Sequence, residues 1–243
     1  MNLKTFTLTL TSTLPIRGSA SHLRGFFATK FNEYTLLHQH SADKLIYSYP
    51  LVQYKMIDGV PMVIGINDGA EVLKQIYDKY DEIKLSDEVY EIVERGICVK
   101  NQEFGLSEKI YSYEFATPWL ALNQENYMKY YSLKDGGERL DFLRKTLIGN
   151  LLSMSKSLDY QIPDKIKCDL HVNIRKRRLK DVNIMTFIGR FQANFIIPDY
   201  LGVGKSVSRG FGAVIMKKDH GINRINFNNI YTKTDKYDMT DQK

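Results

Sequence analysis

The residues of this 243-residue chain best suited to proton chemistry are His38-Gln39-His40. In extended backbone, side chains two positions apart point the same way, so the two imidazoles would stand together. Imidazole titrates near pH 6.5, which lets one ring accept a proton while the other gives one. On RNA, one histidine would deprotonate a ribose 2′-hydroxyl and the other would protonate the departing 5′-oxygen. No metal is required for that reaction, because the nucleophile is built into the substrate. His-x-His is also a metal pair, and a catalytic zinc wants a third ligand. His22, His171, His220 and Asp43 are available, but no spacing ties them to the pair. Lys30, Tyr34, Lys44, Tyr47 and Tyr49 surround it in sequence and could orient a phosphate or stabilise its developing charge.

A second chemical feature lies far downstream, where Leu201 to Val214 packs Gly202, Gly204, Gly210 and Gly212 around Lys205, Ser206 and Arg209. Glycines let backbone N–H groups approach an anion closely. Gly204-Lys205-Ser206 matches the end of a phosphate-binding P-loop, but Asp199 stands where the first glycine belongs. The apolar segment that follows also reads as a strand rather than the helix a P-loop must feed. Arg209-Gly210-Phe211-Gly212 opens like an RNA-recognition signature, yet Ala213 and Met216 occupy its later aromatic positions. What survives is a basic glycine loop entering a strand, suited to a sugar-phosphate backbone, or else a plain exposed hairpin.

Charge supports the first of these. Nine acidic and three basic residues fall between Asp68 and Glu94, whereas seventeen basic and seven acidic residues fall between Arg139 and Arg224. Within the basic half, Arg175, Lys176, Arg177, Arg178 and Lys180 sit between two alternating apolar segments, where a hairpin tip would hold them in water. Cys98 and Cys168 show no metal or disulfide spacing, and a reducing cytoplasm is the expected setting. No segment reaches the 18 or so apolar residues of a membrane span, and no membrane partner is expected.

The elements that must position these residues follow from periodicity. Phe6, Leu8 and Leu10 alternate with threonines over residues 3–11, the pattern of a half-buried strand. A helix is predicted over 19–31 with Ser19 or Ser21 as N-cap, then a hairpin through Asp58-Gly59 joining 45–57 to 60–66. A helix over 68–80 and extended segments over 89–100 and 104–115 complete a ferredoxin-like order. The pattern partly repeats, with a leucine-rich helix over 137–158, strands over 167–175 and 182–197, and a last strand over 211–217. The second helix of the repeat shrinks to a few residues near 198–201, so the glycine loop takes its place. Trp119 reads as core. The fold class is thus α+β with tandem ferredoxin-like domains, one over 1–115 and one over 116–217, and a polar tail over 218–243.

His22-Leu23-Arg24-Gly25-Phe26, Tyr34 through His40, and Tyr49 through Lys55 together resemble the N-terminal domain of the CRISPR repeat-processing endoribonucleases, the sixth Cas family in its b subtype. Gly202 to Gly212 looks like the glycine-rich loop of the same superfamily. The resemblance implies metal-independent cleavage within a CRISPR repeat RNA, without cofactor, leaving a 5′-hydroxyl on one product and a cyclic phosphate on the other. It places His38 and His40 as catalytic, with His40 as general base, Lys30 and Tyr47 as assisting groups, and Lys205 and Arg209 on the RNA. Further partners admitted by this reading are subunits of a CRISPR effector complex and a second copy of the chain in a homodimer. A noncatalytic RNA-binding subunit of such a complex is the competing expectation.

Overall fold

The computed structural model describes residues 1–37, 40–41, 44–45, 48–179 and 182–217. β1 (Asn2–Ser12) runs through the first sheet, with Phe6, Leu8 and Leu10 buried on one side as the alternation requires. α1 (Ala20–Lys30) starts at Ser19, whose hydroxyl accepts the His22 N–H at 3.2 Å. The His22 ring takes the Ser19 N–H in return, which closes a reciprocal cap and settles which serine starts the helix. After a short turn at Thr35–Leu37 come two-residue strands β2 (His40–Ser41) and β3 (Lys44–Leu45), paired with each other.

Among the described residues of the strand predicted over 45–57, Leu45 ends β3 and the rest of the strand is β4 (Val52–Ile57), joined to β5 (Val60–Ile66) through Asp58-Gly59. Both turn residues have positive φ, 49° and 83°, as a tight hairpin of matching twist needs. α2 (Asp68–Ile76), β6 (Glu82–Leu85) and β7 (Glu88–Glu103) complete the first domain. The strand order β4-β5-β1-β7 is that of a ferredoxin-like sheet, with β6 added at the edge.

The second sheet contains β8 (Gly105–Phe115), β9 (Cys168–Leu179), β10 (Val182–Ile196) and β11 (Val214–Lys217), in the order β11-β8-β10-β9. α3 (Gln124–Ser132) and α4 (Gly136–Ser157) lie between β8 and β9. β8, expected as the last strand of the first domain, is thus part of the second sheet. β8 hydrogen-bonds to β10 and β11 rather than to the first sheet, whatever its place beside β7 in sequence. No helix forms between β10 and β11, where the segment carries a single 3-10 turn at Val207–Arg209 and the last strand starts three residues later than predicted. The expected tail over 218–243 lies outside the described residues.

The two domains share a core. Leu3, Met62, Ile64 and Ile66 on the far side of the first sheet belong to one apolar cluster with Phe104, Tyr113, Phe195 and the leucines of α4. The near side of that sheet packs separately on α1 and α2 through Phe27, Val63 and Leu73. β5 is thus buried on both faces, and the domains cannot slide without opening a core. Among the described residues no helix is long and apolar enough to cross a membrane.

Candidate functional site

The glycine loop is pinned along its length. Val203 N–H bonds the Gly212 carbonyl at 2.8 Å, Gly212 N–H bonds Pro118 at 2.9 Å, and Lys205 N–H bonds Leu120 at 3.0 Å. Gly204 has φ +99°, and a methyl there would lie 2.6 Å from the Trp119 indole nitrogen. Only glycine fits both the left-handed backbone and that approach. Leu201, Gly202, Val203 and Val207 are buried while Lys205 is exposed, so the loop is a packed element with one cation held outward.

Its inner side is docked on the first domain. Gly202 donates its N–H to Gln53 Oε1 at 2.9 Å, and its carbonyl accepts the Tyr49 hydroxyl at 2.7 Å. Lys55 Nζ donates to the Val207 carbonyl at 2.9 Å. A side chain on Gly202 would meet Val207 at 2.6 Å and the Lys55 ammonium at 2.9 Å. Lys55 is wholly buried in strand β4, and burial pulls its pKa down to about 7. Gly202 is closely packed by these contacts, and a methyl at Gly210 would lie 2.6 Å from Ala20 Cβ in α1.

The contact with α1 also gathers charge. Arg24 is half-buried, and its pKa is lowered first by burial and then by the positive charge of Arg209 from the loop. The positive charges of α1 and of the loop thus come together where the two elements meet. Lys30, at the far end of α1, is exposed and about 9 Å along the helix axis from Arg24.

The histidine-bearing segment is anchored at both ends. Before it, Leu37 is buried and its carbonyl accepts the Tyr54 hydroxyl at 3.2 Å. After it, Tyr49 is tied to Gly202, and burial pushes the Tyr49 phenol well above its ordinary pKa. Tyr49 thus acts as a strut rather than a proton carrier. His40 has its backbone in β2 opposite Leu45, while His38, Tyr47 and the His40 side chain lie outside the described part. Among the described residues no three His, Cys, Asp or Glu side chains converge as a metal site.

The basic run departs from its predicted place. Arg175, Lys176, Arg177 and Arg178 are not at a tip but within β9, opposite Thr186, Met185, Ile184 and Asn183 of β10. A strand alternates its side chains, so the four exposed cations project from both faces of the ribbon in pairs. Lys180 lies outside the described residues.

Between the loop and α4 lies a cavity of about 400 Å³ lined by Ser48, Tyr49, Asn150, Ser153, Met154 and Lys205, among others. Asn150 Oδ1 accepts the Trp119 indole N–H at 3.1 Å. Arg24, Lys55 and Asn150 surround the loop, and no chemical motif in the sequence singles them out. Lys55 has one legible signal, a cation in the middle of a strand with no other charge. Asn150 has none, since a polar residue on a long helix ordinarily faces water.

The same architecture occurs in known proteins. The family model for the Cas6b N-terminal domain matches residues 1–103, and that for the Cas6b C-terminal domain matches residues 105–217. An uncharacterized protein of Methanocaldococcus jannaschii is 44% identical over 135 residues, 55% of this chain and 91% of that protein. A crystal structure of Cas6b superimposes with TM-score 0.82 at 38% identity, covering 89% of this chain and 100% of the other. A crystal structure of CRISPR RNA processing endoribonuclease Cas6b gives TM-score 0.72 at 35% identity with 89% and 100% covered. A Cas6 product complex at 13% identity and TM-score 0.57, covering 88% and 99%, shares the fold. The family models meet where the hydrogen bonding passes from β7 to β8, and the chain belongs to the Cas6b family.

Proposed function

We propose that the chain is a CRISPR RNA processing endoribonuclease that cuts precursor RNA within its repeats without a metal ion. The observation that carries this reading is the Tyr49–Gly202 bond, which fastens the exit of the histidine segment to the glycine loop. The segment with the chemistry and the loop with the cations are thus bound together across two domains. A structural relative named for the same activity, at 35% identity over its whole fold, supports the same reading.

In the proposed reaction one of His38 and His40, with His40 the first choice, takes the proton of the ribose 2′-hydroxyl next to the cut. The 2′-oxygen attacks phosphorus as the bond from phosphorus to the 5′-oxygen breaks, and the other histidine protonates that oxygen. The products are a 2′,3′-cyclic phosphate and a 5′-hydroxyl. Arg24 and Arg209 offset backbone charge, and Lys205 and the β9–β10 ribbon hold the flanking strand. Lys30 and Tyr47 assist at the phosphate.

The experiment is cleavage of labelled repeat RNA in excess EDTA, by the protein and by its His40→Ala variant. Cutting that persists in EDTA and is lost in the variant is expected. Loss in EDTA overturns metal independence, and binding without cutting would make the chain a noncatalytic RNA-binding subunit instead. RNA with a 2′-deoxyribose at the cut should bind and stay intact, and cleavage of it would eliminate the internal nucleophile.

A further inference from the structure

We propose that the cavity between the glycine loop and α4 receives one unpaired nucleobase of the RNA by its carbonyl edge, and that Asn150 reads it. The proposal rests on the reading of the chain as an RNA-cleaving enzyme and adds to it a specificity-determining residue. At about 400 Å³ the cavity falls in the range of pockets that enclose small ligands. Tyr49, Pro50 and Met154 give it the apolar and aromatic lining that a flat ring wants, and Ser153, Ser206 and Ser208 supply hydroxyls.

Asn150 and Lys205 supply the donors on the lining. An amide side chain offers one acceptor oxygen and two N–H donors. In Asn150 the oxygen is already used by the Trp119 indole N–H at 3.1 Å, which fixes the amide and leaves its N–H pair for the cavity. Lys205, also on the lining, can only donate. Guanine and uracil present a carbonyl oxygen where adenine and cytosine present an amino group, so a donor wall favours the first two. The hydroxyls turn to suit either and do not discriminate.

A further observation argues against a phosphate as the occupant. Among the described residues Lys205 is the one cation on the lining, whereas Arg24 and Arg209 lie where the loop touches α1. The phosphate path therefore has its own place, and the cavity takes what hangs from it. Ser48, on the lining, directly follows the segment that carries the histidines. The captured base thus belongs to a nucleotide close to the cut.

Trp119 is the sole tryptophan, and its indole N–H bonds to Asn150, so it reports occupancy without any need for activity. The test titrates the four ribonucleoside 5′-monophosphates and ribose 5-phosphate into protein with labelled indole nitrogen and follows that one resonance by NMR. Saturable shifts with GMP and UMP, at least tenfold weaker response to AMP and CMP, and none with ribose 5-phosphate are expected. Equal shifts with ribose 5-phosphate, or no shift with any nucleotide, would overturn the proposal.

Asn150→Asp keeps an acceptor for Trp119 while removing the donor, and it should lower GMP and UMP affinity at least tenfold with the melting temperature preserved. Should that variant fail to fold, Ser153→Trp fills the cavity from an exposed position on α4. Repeat RNAs carrying single abasic sites then separate this proposal from the reading beneath it. In the wild type one site near the cut should raise KM about tenfold, and the same site should have no effect in Ser153→Trp. Wild-type cleavage indifferent to every abasic site overturns the pocket. An indole that responds to nucleotides in a protein that cuts no repeat RNA leaves the pocket standing and removes the nuclease.

Discussion

The glycine loop and the β9–β10 ribbon are both basic, yet they spend their residues differently. In the loop, backbone bonds to Pro118 and Leu120 and side-chain bonds from Tyr49, Gln53 and Lys55 fix the main chain, and Leu201, Val203 and Val207 are buried. In the ribbon, Arg175 to Arg178 are all exposed, on a strand whose hydrogen bonds go to β10. The loop is part of the domain interface and places few charges accurately. The ribbon is a peripheral arm and offers several exposed charges. Damage to the loop should therefore appear first in stability, and damage to the ribbon in affinity alone.

The sharpest way to break that contrast is Gly204→Ala. The new methyl would sit 2.6 Å from Trp119 Nε1, on a backbone at φ +99° that alanine adopts with strain. Overpacking and strain together should cost about 3 kcal/mol, a fall of roughly 6–12 °C in Tm for a chain of this size. Thermal unfolding followed by Trp119 fluorescence measures it. A fall no larger than that of a ribbon variant would mean that the loop is not structural.

Lys55→Met probes the same interface through pH. The Lys55 pKa is about 7 in the fold against an ordinary 10.5, so between those values the unfolded chain binds the extra proton. Stability then rises with pH across that window and loses this contribution below about pH 7. The Val207 carbonyl accepts from either the ammonium or the neutral amine and does little to reverse the effect. From about pH 7 to about pH 9.5 the wild type should gain about 2–3 kcal/mol over Lys55→Met in urea unfolding. Parallel pH curves for the two proteins would show that Lys55 keeps its proton, with water reaching it.

Part of this contrast is legible in the sequence. Alternation reveals β1, the Asp58-Gly59 pair reveals the β4–β5 hairpin, and leucine spacing reveals α4, because each of these is a local pattern set by one buried face. β6 and α3 escape, the first being only four residues long and the second built from polar residues, tyrosines and a single methionine. Consecutive cations imply water and so suggest a hairpin tip for the basic run, yet a strand projecting beyond the core satisfies the same requirement. The sequence shows the loop glycines but not the close neighbours of Gly202 and Gly204, which are Val207, Lys55 and Trp119 and which only the tertiary fold supplies. His38, Tyr47 and Lys180 lie outside the described residues, so their part in the site rests on sequence and on the proposed reaction.

On the ribbon side, the paired change Arg175→Ala and Arg177→Ala removes two cations from one face of β9. RNA affinity at low salt should fall about tenfold, and the slope of log affinity against log salt should flatten by about 0.7 for each single-strand phosphate the ribbon no longer neutralises. Stability should stay within about 0.5 kcal/mol of wild type, since neither side chain supports the core. Filter binding over a salt series, with a parallel melt, tests both halves. A lowered Tm would make the ribbon structural and erase its difference from the loop.

Lys205→Ala is expected to have the smallest effect and is the finest test. The backbone N–H of Lys205 stays bonded to Leu120 in the variant, so only the exposed ammonium is removed and Tm should not move. As one counterion-releasing charge, its removal should weaken RNA binding about three- to fivefold at low salt with cleavage of bound RNA unaltered. A single-turnover experiment at saturating protein separates binding from cleavage. Equality with a single ribbon cation would mean that loop and ribbon merely share the same electrostatic task. A reduction of about fiftyfold or more would mean that the glycines, by fixing the backbone beneath it, hold the lysine at one particular phosphate, which is the advantage a packed loop has over a free arm.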